Sequence, residues 1–319
     1  METLDLHGQP FDPDFTLACG QAFRWRKLAD GVWRGVVRDR LLELKTEGGK
    51  LLWRTYPEHD EALVRDYLRL SDDVNDIYAR LSQADSHLAR LVQRFRGLRL
   101  LRQDPVETLL SFVCSAANSI PRISAAIETL SMLYGDLICE LPGRAASEDH
   151  AESAPRCYYS FPTVERLAEA DPVALAETHS LEFRGSNLKL VAGQLLDRGE
   201  NWLVSLRRVP YQEARDELLT IRGVGRKIAD CVCLFSLDKD EAVPVDTHVR
   251  QLARRLWMPD LAGKSLTDAV YRRIADAFAE RYGPLAGWAQ QFLFYEDLLR
   301  TPGRDISRRH SLDTPLYGG

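Results

Sequence analysis

The sequence predicts an α+β fold in which an N-terminal antiparallel β-sheet with flanking helices precedes a mostly α-helical domain. Two observations predict it. Residues 21–56 contain short aromatic and branched runs separated by glycine turns, whereas apolar residues after residue 103 recur with helical spacing. At 319 residues the chain is long enough for about two domains. We expect a β domain over residues 1–102, a helical domain over 103–300 and a loose basic tail over 301–319.

The first element is a β-meander. Asp30-Gly31 and Gly48-Gly49 separate neighbouring runs as hairpin turns do. The stretch from residue 63 to residue 95 has a helical period and supplies the flanking helices. The predicted strands are residues 22–28, 32–37, 41–45 and 51–56.

The helical part carries clear start and stop signals. Asp104 is a predicted N-cap, with Pro105 at the first helical position and Glu107 at the third. Residues 143–157 are polar and lack periodicity, so we expect an exposed loop there. Further helices are predicted to begin at Pro172 and at Ser265, and the latter to end at Gly283.

Composition excludes several classes of protein. Hydrophobic residues are 45% and charged residues 28%, as in a folded protein, and no apolar run reaches the ~18 residues of a membrane span. The N-terminus has no apolar signal core, so we expect no secretion. The six cysteines form no C-x-x-C pair or zinc pattern, which favours reduced thiols. We expect a cytoplasmic or nucleoid location in a bacterium, or a nuclear one in a eukaryote.

A glycine turn between two predicted helices is the first functional signal. The helical hairpin spans about residues 211–237, and its turn reads Arg222-Gly-Val-Gly-Arg226. Gly223 and Gly225 permit a backbone that other residues disfavour and allow a ligand to approach closely. Amides at the start of the second helix would then bind phosphate. An ordinary turn between two helices is the alternative, and the turn alone favours that alternative.

The surrounding pattern is more specific than the turn. The run L-x-x-I-x-G-V-G-x-K-x-A-D-C ends at Cys231, and Val-Pro-Val-Asp-Thr-His follows at 243–248. This pattern resembles the helix-hairpin-helix DNA glycosylases that carry a catalytic lysine and aspartate. Four further blocks, in order along the chain, resemble the 8-oxoguanine DNA glycosylase/AP lyase family: residues 19–25, residues 100–107, residues 112–115 with Ile120 and Arg122, and residues 287–294.

The resemblance implies that Lys227 and Asp246 are catalytic. Lys227 lies in the first turn of the second helix, where the helix dipole repels its charge and favours a neutral, nucleophilic amine. Asp246 would stabilise the positive charge that develops at the sugar as the glycosidic bond breaks. Without the resemblance, an exposed helix lysine and an ordinary N-cap aspartate would be the favoured interpretations.

The resemblance also implies a pocket for a flipped-out base. Cys231 and Phe294 would form its two walls, and Gln290 would bind the Watson–Crick edge of the base. The backbone carbonyl of Gly20 would accept from N7–H, a hydrogen that 8-oxoguanine has and guanine lacks. For Cys231 and Phe294 the alternative is plain core packing.

Several residues are implied to contact DNA. Phe183 matches an aromatic wedge, Arg122 and Arg184 match arginines at the orphaned cytosine, and His248 would contact phosphate with Asp297 orienting it. The hairpin contributes Gly223 and Gly225, named above.

One position departs from the family pattern. Ala117 stands where the family has an asparagine that fills the vacated space. Asn118 beside it is a further candidate DNA contact, although it points ~100° away on a helix. We therefore expect weaker discrimination between opposite bases than is usual in the family.

We predict a base excision repair glycosylase that flips out 8-oxoguanine, attacks through Lys227 with Asp246 assisting, and cleaves the strand by β-elimination. Its partner is double-stranded DNA containing oxidised guanine, and we expect a monomer with no membrane contact, no cofactor and no catalytic metal.

Two alternatives are a monofunctional glycosylase for alkylated bases and a non-catalytic helix-hairpin-helix DNA-binding protein. Net charge (42 basic against 47 acidic residues, −5) argues mildly against DNA binding, although the placement of charge matters more.

Overall fold

The computed structural model describes residues 1–116, 118–142, 155–177, 181, 184–199 and 201–300. It confirms the predicted α+β class, because an antiparallel five-stranded sheet precedes a body built of helices. The domain boundaries at residues 102 and 300 stay predictions.

The sheet is the predicted meander with one added edge strand. Its order is β1-β5-β4-β3-β2, and all its pairs are antiparallel. Gly48 and Gly49, with φ of 57° and 75°, form the two-residue turn between Glu47 and Lys50. The edge strand was not predicted, because only one of its three residues is buried and so gives no pattern. The strands are β1 (Glu2–Leu4), β2 (Trp25–Lys27), β3 (Trp33–Val37), β4 (Arg40–Glu47) and β5 (Lys50–Tyr56).

The sheet is covered on both faces. Trp33, Leu44 and Trp53 align across three strands and pack into an apolar core. On the opposite face Arg34 and Glu43 form a buried ion pair at 2.6 Å. That pair is cross-strand in register, so each charge is neutralised by its direct neighbour.

Helices flank the sheet and form the rest of the molecule. Asp104 caps its helix as predicted, accepting from the amide of Glu107 at 2.8 Å. Single turns of 3₁₀-helix occur at Leu206–Arg208, Pro259–Leu261 and Gly283–Leu285. The α-helices are α1 (Pro13–Thr16), α2 (Glu61–Tyr67), α3 (Val74–Ala84), α4 (Ser86–Arg94), α5 (Pro105–Val113), α6 (Ile120–Tyr134), α7 (Val164–Glu169), α8 (Pro172–Glu177), α9 (Arg184–Arg198), α10 (Asn201–Ser205), α11 (Tyr211–Leu219), α12 (Arg226–Ser236), α13 (Thr247–Leu256), α14 (Asp268–Tyr282) and α15 (Ala286–Arg300).

Two sequence predictions were wrong in detail. The helix expected from Ser265 begins at Asp268, because Thr267 and not Ser265 provides the capping hydroxyl, which accepts from Val270. Part of the expected 143–157 loop is a strand, since β7 (Arg156–Tyr159) pairs with β6 (Leu137–Leu141). Residues 143–154 and the predicted tail, 301–319, lie outside the described residues.

Aromatic packing connects the sheet to the helical hairpin. The ring of Phe112 on α5 contacts Phe23, just before the sheet, at 5.3 Å between centroids. On its other side it stacks on Phe235 of α12 at 5.7 Å. Helix α12 is therefore held against α5, and the start of α12 faces the end of α5 and the loop that follows it. Within the described ranges, the helices are too short or too polar to span a membrane.

Candidate active site

The hairpin turn is shaped for close approach by a ligand. Gly223 has a φ of +98°, and a Cβ there would meet the side-chain oxygen of Asn187. Gly225 is the N-cap of α12, and a Cβ there would meet no described atom within 4 Å. No side chain caps this helix within the described structure, so its first amides are available to an anion.

Lys227 occupies the first turn of α12 and is partly buried. Its Nζ donates to the hydroxyl of Ser115 at 3.0 Å and lies 4.6 Å from the centre of the Phe112 ring. One turn further on, burial raises the pKa of the Cys231 thiol to about 12, and the neighbouring Lys227 opposes that rise. Cys231 is therefore a neutral, apolar neighbour of the amine.

Asp246 is the N-cap of α13, as predicted. Its Oδ1 accepts from the amide of Val249 at 2.8 Å. Oδ2 makes no hydrogen bond to any described residue, so half of the carboxylate stays available to a developing positive charge. The negative charge of Asp246 also helps to raise the pKa of the Cys231 thiol, although burial is the largest cause.

Gly20 and Phe294 meet although they lie near opposite ends of the chain. Gly20 has a φ of +82°, and a Cβ there would lie 3.3 Å from the Phe294 ring and 3.2 Å from Ile120. Both neighbouring carbonyls are occupied: that of Cys19 accepts from Gln291 at 2.9 Å, and that of Gln21 accepts from Gln103 at 2.7 Å. The Gly20 carbonyl has no donor among the described residues and can accept one from a ligand.

Gln290 carries an unsatisfied buried oxygen. The side chain is 4% exposed, and its Oε1 finds no partner in the described part of the chain. A buried amide oxygen without a donor is costly, and a bound base could remove that cost. Gln290 precedes Phe294 by one turn of α15, so the two share a face of that helix.

The predicted phosphate contact, His248, belongs to a small ionic cluster. Its Nδ1 lies 3.3 Å from the carboxylate of Asp297, which also holds Arg255 at 2.9 Å. The His248 ring meets Phe294 edge to face at 6.0 Å. Asp297 is therefore placed to orient His248 at the border of the candidate pocket.

The remaining predicted DNA contacts differ in how exposed they are and in what they bond to. Arg122 is exposed in the first turn of α6. Arg184 is 5% exposed and donates to the carbonyl of Ala116 at 2.6 Å, so it is directed at a loop and not at solvent. Asn118 donates to the Cys114 carbonyl and accepts from the Ser119 amide, which uses its side chain within the same loop. Phe183 and Ala117 lie outside the described residues.

Sequence reasoning missed two groups at the site. Ser115 lay inside a quoted block but had no assigned role, and a serine gives no signal of a partner 112 positions away. Asp230 was part of the A-D-C motif, and a carboxylate within an apolar helical run was a usable signal. Among the described residues, no group of three or more His, Cys, Asp or Glu is placed to hold a metal ion.

Comparison with known proteins identifies relatives of this chain. The family model described as "8-oxoguanine DNA glycosylase, N-terminal domain" matches residues 3–109. The N-glycosylase/DNA lyase OGG1 of Arabidopsis thaliana is 35% identical over 298 residues, covering 89% of this chain and 76% of the plant protein. The N-glycosylase/DNA lyase of Saccharomyces cerevisiae is 30% identical over 263 residues, covering 74% of this chain and 66% of the yeast protein.

Solved structures show the same relationship. The 8-oxoguanine glycosylase/lyase of Clostridium acetobutylicum in its apo form superposes with a TM-score of 0.76 at 32% identity, covering 89% of this chain and 92% of the other. Its complex with double-stranded DNA containing cytosine opposite 8-oxoguanine gives a TM-score of 0.75 at 32% identity, covering 90% and 91%. With these matches over most of its length, the chain belongs to the 8-oxoguanine DNA glycosylase family of N-glycosylase/DNA lyases, within the helix-hairpin-helix superfamily.

Proposed function

We propose that this protein excises 8-oxoguanine from duplex DNA with Lys227 as the nucleophile and Asp246 assisting, and then cleaves the strand at the abasic site. One observation carries the proposal: Ser115 holds the amine of Lys227 at 3.0 Å on the first turn of α12, and the carboxylate of Asp246 keeps one oxygen without a hydrogen bond to any described residue. An amine nucleophile and a carboxylate on either side of a sugar carbon are the groups that a bifunctional glycosylase needs.

The first chemical step is displacement of the base. The neutral amine of Lys227 attacks C1′ of the sugar, and the bond from C1′ to the base nitrogen breaks. Positive charge develops on the sugar in the transition state, and the unpartnered Oδ2 of Asp246 stabilises it. The attached nitrogen then loses a proton, and its lone pair opens the sugar ring by breaking the C1′–O4′ bond. O4′ takes up a proton and a protonated Schiff base results at C1′. Loss of a C2′ proton then expels the 3′ phosphate by β-elimination.

Recognition of the damaged base uses groups that have no hydrogen-bond partner among the described residues. The Gly20 carbonyl accepts from N7–H of 8-oxoguanine, whereas guanine would present a lone pair to the same oxygen. The Oε1 of Gln290 accepts from the Watson–Crick edge. The ring of Phe294 stacks on one face of the base, and Cys231 lies against the other.

The proposed partner is double-stranded DNA containing oxidised guanine, bound by a single copy of the chain. Phosphates would bind the free amides that begin α12, with His248 and Arg122 alongside. We place the enzyme with its substrate, in the bacterial nucleoid or the eukaryotic nucleus.

Two other functions are less well supported. A 3-methyladenine DNA glycosylase from Archaeoglobus fulgidus shares the fold at 20% identity, which says nothing about substrate. A monofunctional enzyme uses water and does not need an amine placed as Lys227 is. A non-catalytic binding protein would have no need of the buried Oε1 of Gln290, which has no partner among the described residues.

Borohydride trapping tests the proposal. A reducible Schiff base should link the protein covalently to duplex DNA containing 8-oxoguanine. Lys227→Gln should abolish the trapped complex while binding to the duplex persists. Lys264→Gln is a matched control, because Lys264 is exposed and pairs with Asp260 away from the site. Trapping that survives in Lys227→Gln would show that another amine is the nucleophile.

A further inference from the structure

A buried carboxylate connects three helices behind the candidate site. Asp230 on α12 is fully buried, and it accepts from the hydroxyls of Tyr211 on α11 at 2.7 Å and Tyr271 on α14 at 2.5 Å. Burial raises the pKa of Asp230 to about 6, and the two hydroxyls oppose that rise. The carboxylate therefore serves as an anchor that holds both tyrosines.

Tyr271 makes one connection that Tyr211 does not. Its hydroxyl oxygen also accepts from the backbone amide of Val245 at 3.2 Å, and the carbonyl of Val243 lies 3.3 Å away. Val245 immediately precedes Asp246 in the chain. The hydroxyl of Tyr271 thus joins the segment that carries Asp246 to the helix that carries Lys227 three residues before Asp230.

The contact between Tyr271 and the segment before Asp246 is direct and shielded from water. Val243 and Val245 are 2% and 0% exposed, so water has little access to replace the hydroxyl of Tyr271. On its other side Asp246 is fixed by its cap on Val249. With the Tyr271 hydroxyl removed, the cap would remain, but the segment before Asp246 would lose its connection to the anchor on α12.

We propose that Tyr271 is a positioning residue that sets the distance between Asp246 and Lys227, by joining the Val245 amide to the Asp230 carboxylate. This inference rests on the proposed function, because it concerns the two groups assigned to catalysis there. Loss of the hydroxyl should slow base excision without weakening DNA binding, since the hairpin amides and the base pocket do not depend on it.

A matched pair of variants tests the proposal. Tyr271→Phe and Tyr211→Phe each remove one hydroxyl from Asp230, but only the first also removes the acceptor of the Val245 amide. Excision of 8-oxoguanine is measured under single turnover at saturating enzyme, together with the dissociation constant for undamaged duplex and the unfolding temperature. We expect excision to fall about tenfold or more in Tyr271→Phe and to stay within about twofold in Tyr211→Phe, with similar DNA affinity in both.

The outcomes separate this proposal from the proposed function. If the wild type fails to excise 8-oxoguanine, the proposed function is wrong. If the wild type excises it and the two variants are equally active or equally impaired, Tyr271 has only a structural role and the inference is overturned.

A second variant tests the same inference if Tyr271→Phe fails to fold. Asp230→Leu removes both carboxylate oxygens while nearly keeping the size of the side chain, so the hydroxyl of Tyr271 loses its anchor. Excision should then fall with unchanged DNA affinity, and wild-type excision by Asp230→Leu would overturn the inference.

Discussion

The amine of Lys227 donates a hydrogen bond to the hydroxyl of Ser115, and that hydroxyl donates its own proton to another group. The Ser115 hydroxyl donates to the Phe112 carbonyl at 2.6 Å, so toward Lys227, at 3.0 Å, its oxygen can only accept. The face of the Phe112 ring likewise attracts N–H and repels a lone pair. The Ser115 hydroxyl and the Phe112 ring therefore both face N–H groups of the amine. The lone pair of the neutral amine is left to point away from both of them.

Ser115→Ala should slow the attack of Lys227 without weakening DNA binding. The variant removes one acceptor of the amine, a contact of about 0.5–1.5 kcal/mol, which corresponds to a ~2- to 10-fold lower rate. The rate of Schiff-base trapping under single turnover measures this effect. An unchanged rate would show that the Phe112 ring alone orients the amine.

Gly20→Ala should impair base recognition more than it impairs folding. The added methyl would crowd the Phe294 ring and Ile120, and the positive φ would cost about 1 kcal/mol. We expect excision of 8-oxoguanine to fall at least about tenfold, while cleavage of a preformed abasic site, which has no base to seat, is retained. Gly31→Ala is the matched control, because its φ of +79° imposes similar strain and an added Cβ there meets no described atom within 4 Å. Equal losses in the two variants would argue against a pocket at Gly20.

Gly225→Asp should change protein stability and DNA affinity in opposite directions. Aspartate is a good N-cap, the backbone of Gly225 is extended, and a Cβ there has open space among the described residues, so α12 should gain a few tenths of a kcal/mol. The same carboxylate would repel a phosphate at the hairpin, and affinity for duplex DNA should fall about tenfold. Gly49→Asp adds the same charge in a distant turn and should leave affinity unchanged. A Gly225→Asp variant that binds like the wild type would place the phosphate elsewhere.

Glu107→Gln should reduce the dependence of stability on pH. Burial raises the pKa of Glu107 to about 7, and nearby Arg24 opposes this. Because the folded state binds this proton more tightly than the unfolded chain, the stability that Glu107 contributes is fully present below about pH 4.5 and is lost as the pH rises through about 7. The variant has no proton to lose, so its free energy of unfolding should fall less between pH 5 and pH 8, by about 1–3 kcal/mol. Urea unfolding at both pH values measures the difference, and identical pH dependence in both proteins would contradict the assignment.

Local signals explain which parts of this protein could be predicted. The cap at Asp104, the turn at Gly48-Gly49 and the cap at Asp246 each depend on residues within a few positions, and the structure has all three. The start of α14 was misplaced because Ser265 and Thr267 are both competent caps, and in the structure Thr267 is the one that caps the helix. The edge strand β1 and the β6–β7 pair are too short or too irregular to show a period of two.

Contacts between distant positions could not be predicted in this way. Ser115 meets Lys227 across 112 positions, and Tyr271 meets Asp230 across 41, and neither serine nor tyrosine reveals its partner. For Arg184 the resemblance to the family predicts a role at DNA. Its burial against Ala116 depends on the packing of α9, which the sequence does not reveal.

The meeting of Gly20 with Phe294 also limits when the protein can become active during its synthesis. The Gln291 side chain and the Cys19 carbonyl that it holds are 272 positions apart, so the candidate base pocket forms only after the chain up to Phe294 has left the ribosome. The two helices of the hairpin, which end at Ser236, are released earlier. A nascent chain, or a fragment that ends before α15, would therefore contain the hairpin turn but would lack Gln290 and Phe294, and a chain able to hold a base in the proposed pocket is one in which α15 is already in place.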